Sequence, residues 1–257
     1  MTKINLKNKL TFLIAAKVDH DDRIRNIRTT INYIRRHFDV DIIISEQDTS
    51  SKLKDVCKDL KCRHIYVETD EFFNRQRGVN LAAKVATTPV IAHYDADILL
   101  RPEQILGATE AIISGKAQMV YPYDGRFYDV PEKFFDEINE TGDLRNVDLN
   151  ECILFNSHSV GGVVFFDKEH YWKCGGANEH FKSVGYEDNE INRRFKVLGT
   201  KIMRTEWPLW HLTHFRGETS YNHNPYINFN KNYYFKIESM TQEQLRAHVD
   251  EWDWHKF

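Results

Sequence analysis

The chain has 257 residues, 41% of them hydrophobic and 28% charged, with a formal net charge of −3 at pH 7. That length buries one substantial core or two small ones, and the composition is that of a globular protein, not a disordered or fibrous one. An acidic balance argues against general nucleic-acid binding, and the locally basic RIRNIR (23–28) reads as a solvated helix face.

In chain order, the apolar run from Leu10 to Ala16 is too short to span a bilayer and lacks a small-residue cleavage signature. It predicts a first buried strand, TFLIAA (11–16), of the parallel-sheet type. Ile24, Ile27, Ile31, Ile34 and Phe38 recur at helical spacing, and VDIIIS (40–45) follows as a second strand. Leu53, Val56, Cys57 and Leu60 mark a helix, HIYVET (64–69) a third strand, FNRQRGVNLAAKVA (73–86) a helix and PVIAHYD (89–95) a fourth strand. This alternation predicts an α/β fold with a doubly wound, mostly parallel central sheet flanked by helices.

Beyond it lie a helix in PEQILGATEAIIS with proline in its first turn, a short strand QMVYPY and a polar stretch (124–150) of mixed loop and helix. GGVVFF reads as a strand, KEHYWKCG and EDNEINRRFKVLG as helices, KIMRTEWPLWHLTH as strand plus loop, and residues 240–257 as a terminal helix. No repeat or linker interrupts the chain, so one domain over 1–257 is expected. Cys57, Cys62, Cys152 and Cys174 form no CxxC and read as reduced thiols, which points to a cytoplasmic protein.

In HYDADILL (93–100) an apolar strand stops at two aspartates one residue apart and then turns apolar again. Ligands of open parallel sheets bind outside the carboxyl ends of the strands, and alternation sends both side chains to one side. Asp95 and Asp97 therefore suit Mg²⁺ or Mn²⁺ bridged to a diphosphate; an Asx turn is the simpler alternative. Glu46 and Gln47 close the second strand at the same rim, where a base or ribose could lie. Asn74 and Arg75 open a helix, either as a plain capped start or with Arg75 reaching a phosphate. Gly161 and Gly162 allow close backbone approach to a ligand, or form a turn. Glu187, Asp188 and Glu190 crowd one helix start, more acids than a cap needs, so one could serve as a general base. Either His211 or His214 could complete the coordination of a cation held by Asp97, or be structural.

The order of these segments resembles the β-1,4-galactosyltransferase-like family of GT-A fold glycosyltransferases. Glu46-Gln47 resembles its nucleotide-contacting edge, FNRQRGVNLAA its FNR helix start, YDADILL its metal-binding DVD segment, and the block from GGVVFF to GYEDNEINRRFKVLG its GG…ED region. The resemblance spans about residues 11 to 217. It implies a nucleotide-sugar half (about 1–120) and an acceptor half (about 121–257) with a metal-ligand loop and tail. It also implies Asp97 as direct metal ligand, Asp95 beside it at the ribose or a bound water, and His214, in an H-x-R context, as ligand, with His211 the second candidate. Asp188 would be the catalytic base and Glu187 its neighbour orienting the acceptor. Two departures bear on the sugars: Val184-Gly185-Tyr186 replaces an aromatic-glycine-glycine run, and Lys17-Val18-Asp19-His20 replaces an arginine-rich loop, leaving Lys17 there.

These features predict a metal-dependent, inverting glycosyltransferase. It would move galactose or N-acetylgalactosamine from a UDP-sugar to a saccharide or lipid-linked acceptor, as a bacterial or viral enzyme of polysaccharide synthesis. With no transmembrane segment expected, any membrane contact would be peripheral. Two rivals remain: a sugar nucleotidyltransferase, which normally needs a glycine-rich loop where AAKVDHDD has none, and a non-catalytic saccharide-binding module using the aromatic-rich segment 221–235.

Overall fold

The computed structural model describes residues 3–217 and 224–256. The chain begins with β1 (Ile4–Asn5), β2 (Leu10–Ala16), α1 (Asp21–His37), β3 (Phe38–Asp39), β4 (Asp41–Asp48), α2 (Lys54–Asp59), β5 (Arg63–Glu68), α3 (Arg75–Val85) and β6 (Val90–Tyr94). It continues with β7 (Ile98–Leu99), α4 (Pro102–Ile113), β8 (Met119–Tyr121), β9 (Phe127–Val130), α5 (Phe135–Thr141), β10 (Ile153–Asn156), β11 (Val163–Asp167), α6 (Lys168–Lys173) and α7 (Glu187–Val197). Last come β12 (Ile202–Arg204), β13 (Leu209–Leu212), α8 (Ile227–Glu238) and α9 (Gln242–Asp250).

The main sheet has seven strands in the order β12-β8-β11-β6-β2-β4-β5. β2, β4, β5 and β6 pair in parallel, as the β-α alternation requires. β11 runs antiparallel to both β6 and β8, so the sheet is mostly, not wholly, parallel, and strands from the second half of the chain extend the first. The central strands are buried on both faces: Phe12, Ile14, Ile44, Ile91 and Phe165 are fully covered. α3 packs close on this sheet because position 78 is glycine; a Cβ there would stand 2.8 Å from Ala15 Cβ.

The sequence reading did not anticipate a second sheet, β10-β9-β13-β7. Two of its strands come from the stretch around 124–156, whose polar residues hide a short alternation. Under it lies a separate small core of Leu99, Val130, Phe135, Ile138, Trp210 and Leu212. The Asp95-Ala96-Asp97 turn brings the chain to the seam between the two cores: Tyr94, Ile98 and Leu100 are buried in the first, Leu99 in the second. The renewed greasiness of Ile98-Leu99 is thus a strand of another sheet.

The aromatic segment 221–235 continues into a helix, α8, with Phe229 and Phe235 exposed; residues 221–223 lie outside the described residues. On the outer face of α1, Arg35 donates to Leu60 O and Lys61 O at the end of α2, and Arg36 to Asn139 O and Glu140 O in α5. These arginines satisfy carbonyls near helix C-termini, where cations are favoured. Among the described residues no helix is long and apolar enough to cross a membrane.

Candidate active site

A cleft of about 610 Å³ opens at the carboxyl ends of β2 and β6, between the two sheets and the start of α7. Lys17, Arg75, Asp95, Asp97, Gly161, Gly162, Glu187, Asp188, His211 and His214 all line it. The topology brings them together because β6 ends at the aspartates while the antiparallel β11 begins and β13 ends beside them.

Asp97, His211 and His214 form one cluster whose ligand atoms all lie within 4.8 Å of one another. His214 Nε2 stands 3.1 Å from Asp97 Oδ2, and His211 Nε2 3.6 Å from Asp97 Oδ1. Arg23, from α1, places Nη1 2.8 Å from His214 Nε2 and 3.3 Å from Asp97 Oδ2. A guanidinium only donates, so His214 Nε2 accepts, and its Nδ1–H donates to Phe215 O at 2.7 Å. His211 Nδ1 lies 2.7 Å from Asp129 Oδ1. Both imidazoles thus aim Nε2 at Asp97.

Burial works against the charge on Asp97, yet His211 above all holds its carboxyl well below the usual range. Burial likewise opposes a charged His211, but Asp97 and Asp129 prevail and raise it to about 9. One carboxylate and two imidazoles with convergent donor atoms fit a divalent cation, which would displace the His211 proton on binding.

The other side of the cleft is organised by Arg75. Its side chain is almost fully buried, and it donates Nε to Asp95 Oδ1 at 2.8 Å and Nη1 to Asp188 Oδ1 at 3.0 Å. It ties the first aspartate of the DxD to the start of α7. Desolvation pushes Asp95 up to about 6; Arg75 pulls the other way, while Asp97 and Asp188 add to the rise. Asp188 Oδ2 sits against Gly161, where a Cβ would push the carboxylate aside, so glycine leaves room for it. Gly162 has φ +81°, and its carbonyl accepts the Asp95 N–H at 2.9 Å.

Glu187 turns inward and accepts the Gly185 N–H, closing the turn through Tyr186, whose φ is +68°. Burial first, and the neighbouring Asp188 charge second, push its carboxyl well above the carboxylate range.

Three expected nucleotide contacts stand outside this cleft. Glu46 is fully buried and accepts from Ser51 Oγ, Lys52 N, Leu53 N and His64 Nε2. Gln47 bonds both backbone groups of Asn74. Asn74 caps α3 through Arg77 N and holds Glu179 O. Sequence reasoning missed Arg23 and Asp129. The first was hidden in a strip read as solvated, and the second in the FYDV alternation of a segment read as mixed loop and helix.

The glycosyl transferase family 2 profile matches residues 22–170, a span that contains Arg23, Arg75, Asp95 and Asp97. The chain belongs to glycosyl transferase family 2. A second profile, described as the N-terminal domain of galactosyltransferase, matches residues 144–218, including Asp188 and both histidines. This family 2 glycosyltransferase is also 27% identical over 146 residues to beta-1,4-galactosyltransferase 7 of Mus musculus and of Homo sapiens. The match covers 55% of this chain and 36% of each relative, so the chain spans about a third of the length of the curated relatives it matches. Among solved structures, the catalytic domain of Drosophila beta1,4galactosyltransferase 7 with xylobiose has a TM-score of 0.49 and 16% identity, over 77% of this chain and 64% of that one. A mutant of the same Drosophila protein with manganese, UDP-Gal and xylobiose gives 0.47 and 14%, over 76% and 64%. The matched family profiles bear out the resemblance read from the motifs, and the mixed sheet with a DxD at the end of β6 is a GT-A arrangement.

Proposed function

We propose that this chain is a metal-dependent, inverting glycosyltransferase that moves galactose or N-acetylgalactosamine from a UDP-sugar to a hydroxyl of a saccharide or lipid-linked acceptor. The observation that carries the reading is one cleft holding both a convergent Asp97–His211–His214 donor set and, opposite it, the Arg75-tethered carboxylate of Asp188. A donor set of one oxygen and two nitrogens favours Mn²⁺ over Mg²⁺, which prefers oxygen-rich shells. A bound cation would neutralise charge on the departing UDP.

The chain's own residues supply the rest. Arg75 fixes the Asp188 carboxylate by one oxygen and leaves Oδ2 over Gly161, facing the cleft. There it accepts the proton of an acceptor hydroxyl as that oxygen attacks the anomeric carbon from the face opposite UDP. Glu187 holds the Gly185–Tyr186 turn on the acceptor side. The nucleotide sugar lies over residues of about 1–120 and the acceptor against about 121–257. Lys17, at the mouth of β2, is placed to meet the donor. A galactose-type donor is supported by the galactosyltransferase profile over 144–218. A lipid-linked acceptor with peripheral membrane contact is supported by Ile153, Leu154 and Phe155, exposed on β10 beside the cleft. Free cysteines, two of them buried, support a reducing compartment such as the cytoplasm.

The test is release of UDP from each UDP-sugar in turn, with and without Mn²⁺. UDP release from UDP-galactose or UDP-N-acetylgalactosamine, dependent on the metal, is expected. Silence across the panel overturns the reading; pyrophosphate release from a nucleoside triphosphate would favour a nucleotidyltransferase, and saccharide binding without turnover a binding module.

A further inference from the structure

Of the two imidazoles in the cluster, His214 is oriented by a backbone carbonyl, that of Phe215, which any residue at 215 would supply. His211 has no such backbone acceptor and relies on a side chain. β9 and β13 run parallel with His211 directly paired to Asp129 across the strands. Asp129 Oδ1 lies 2.7 Å from His211 Nδ1. Its other oxygen, Oδ2, accepts from Arg216 Nη2 at 3.0 Å, and the Arg216 guanidinium lies 4.8 Å over the Phe155 ring. Phe127 packs on the face of His211 with ring centroids 5.2 Å apart. Each atom of the carboxylate therefore has one partner, and the imidazole is fixed both by its hydrogen bond and by its ring contact.

We propose that Asp129 is the positioning residue of the cation centre, acting through His211 with Arg216 as its own anchor. The inference rests on the metal-dependent reading above. A neutral imidazole with no acceptor at Nδ1 samples both tautomers, and the one carrying its proton on Nε2 has no lone pair to offer there. With its Nε2 lone pair on a cation the ring would be neutral, and Asp129, accepting the Nδ1–H bond, keeps Nε2 turned to the cation site beside Asp97. Outer carboxylates of this kind are worth about 10- to 100-fold in metal affinity.

The experiment measures Mn²⁺ binding without nucleotide, by titration calorimetry or free-Mn²⁺ electron paramagnetic resonance, on wild type, D129A, H211A and the double variant D129A/H211A. D129A is expected to bind about 10- to 100-fold more weakly. The double variant is expected within about twofold of H211A alone, because the hydrogen bond from Asp129 into the cation cluster runs to His211; a general loosening of the strands, or of His214 through Arg216, would add to the H211A loss instead. D129N, nearly the same shape, is expected to weaken binding by about tenfold and stands in if D129A does not fold. Binding within about twofold of wild type in the Asp129 variants, or additive losses in the double, overturns the proposal while leaving the metal centre in place. A wild type that binds no Mn²⁺ overturns both this proposal and the function it rests on.

Discussion

Asp188 and Glu187 are adjacent carboxylates with opposite surroundings. Asp188 faces the cleft, paired with Arg75 at 3.0 Å; Glu187 turns inward, where burial and the Asp188 charge favour its protonated form. Their amide variants should therefore part company. D188N keeps the shape and an oxygen that can accept from Arg75 but cannot take a proton, so transfer should fall by about a hundred- to ten-thousandfold with UDP-sugar affinity near wild type. E187Q replaces a carboxyl already held neutral and should stay within about tenfold of wild type, below the usual cost of losing a base. Steady-state transfer rates and donor affinity for both variants check this; equal losses would remove the distinction between them.

At the scale of elements, α7 must be anchored for Asp188 to be placed, and the anchor is buried. Arg194 donates Nε to Glu190 Oε1 at 2.6 Å and Nη2 to Glu190 Oε2 at 3.1 Å, both side chains fully covered. It also donates to Cys174 O and Gly176 O, joining α7 to the loop after α6. R194A strands a buried carboxylate and two carbonyls, and should cost about 3–5 kcal/mol in urea unfolding. β6 carries a second buried ionisable group, His93, between Phe166 and Tyr171, with centroids at 4.7 and 5.1 Å. Burial, with Arg75 and Arg194 nearby, holds it well below the ordinary histidine value. The unfolded chain then binds a proton that the folded chain does not, so stability is full above about pH 6.5 and falls as pH drops below it, at up to about 1.4 kcal/mol per pH unit. H93Q should flatten that part of the stability-versus-pH curve, whatever it costs at pH 8.

For the whole molecule, the cation site lies between two sheets with separate cores: Asp97 enters from the turn between β6 and β7, while His211 and His214 come from β13 and the residues after it. A ligand bound across such a junction stabilises only the folded chain. Mn²⁺ at a hundredfold excess over its Kd should add about 2.7 kcal/mol, or roughly 5–10 °C in Tm for a chain of this size. A chelator should reverse the shift, and D97A should abolish it, whatever it costs in metal-free Tm. An equal shift in D97A would place the cation elsewhere.

Much of this molecule was legible in its sequence because periodicity reports burial. The apolar runs at 11–16, 42–44 and 90–94 are largely buried, and each became part of a strand pairing in parallel in the main sheet. Asp95, Asp97, Asp188, His211 and His214 were legible as acids and histidines at element ends, where an open sheet leaves its crevice. What the sequence could not display is which polar side chain answers which. Glu46 carries the same carboxylate as Asp95 and Asp188, and Asn74 a polar amide, yet Glu46 is spent on the backbone after β4 and Asn74 on capping α3 and holding Glu179 O, and only packing decides that. Asp129 and His211 are 82 residues apart and meet because two short strands pair in one register; one residue of slip would turn either side chain to the other face. Sequence alone determined the elements and the stock of donors. The tertiary structure decided the pairings, because a hydrogen bond depends on ångströms of separation that no spacing along the chain records.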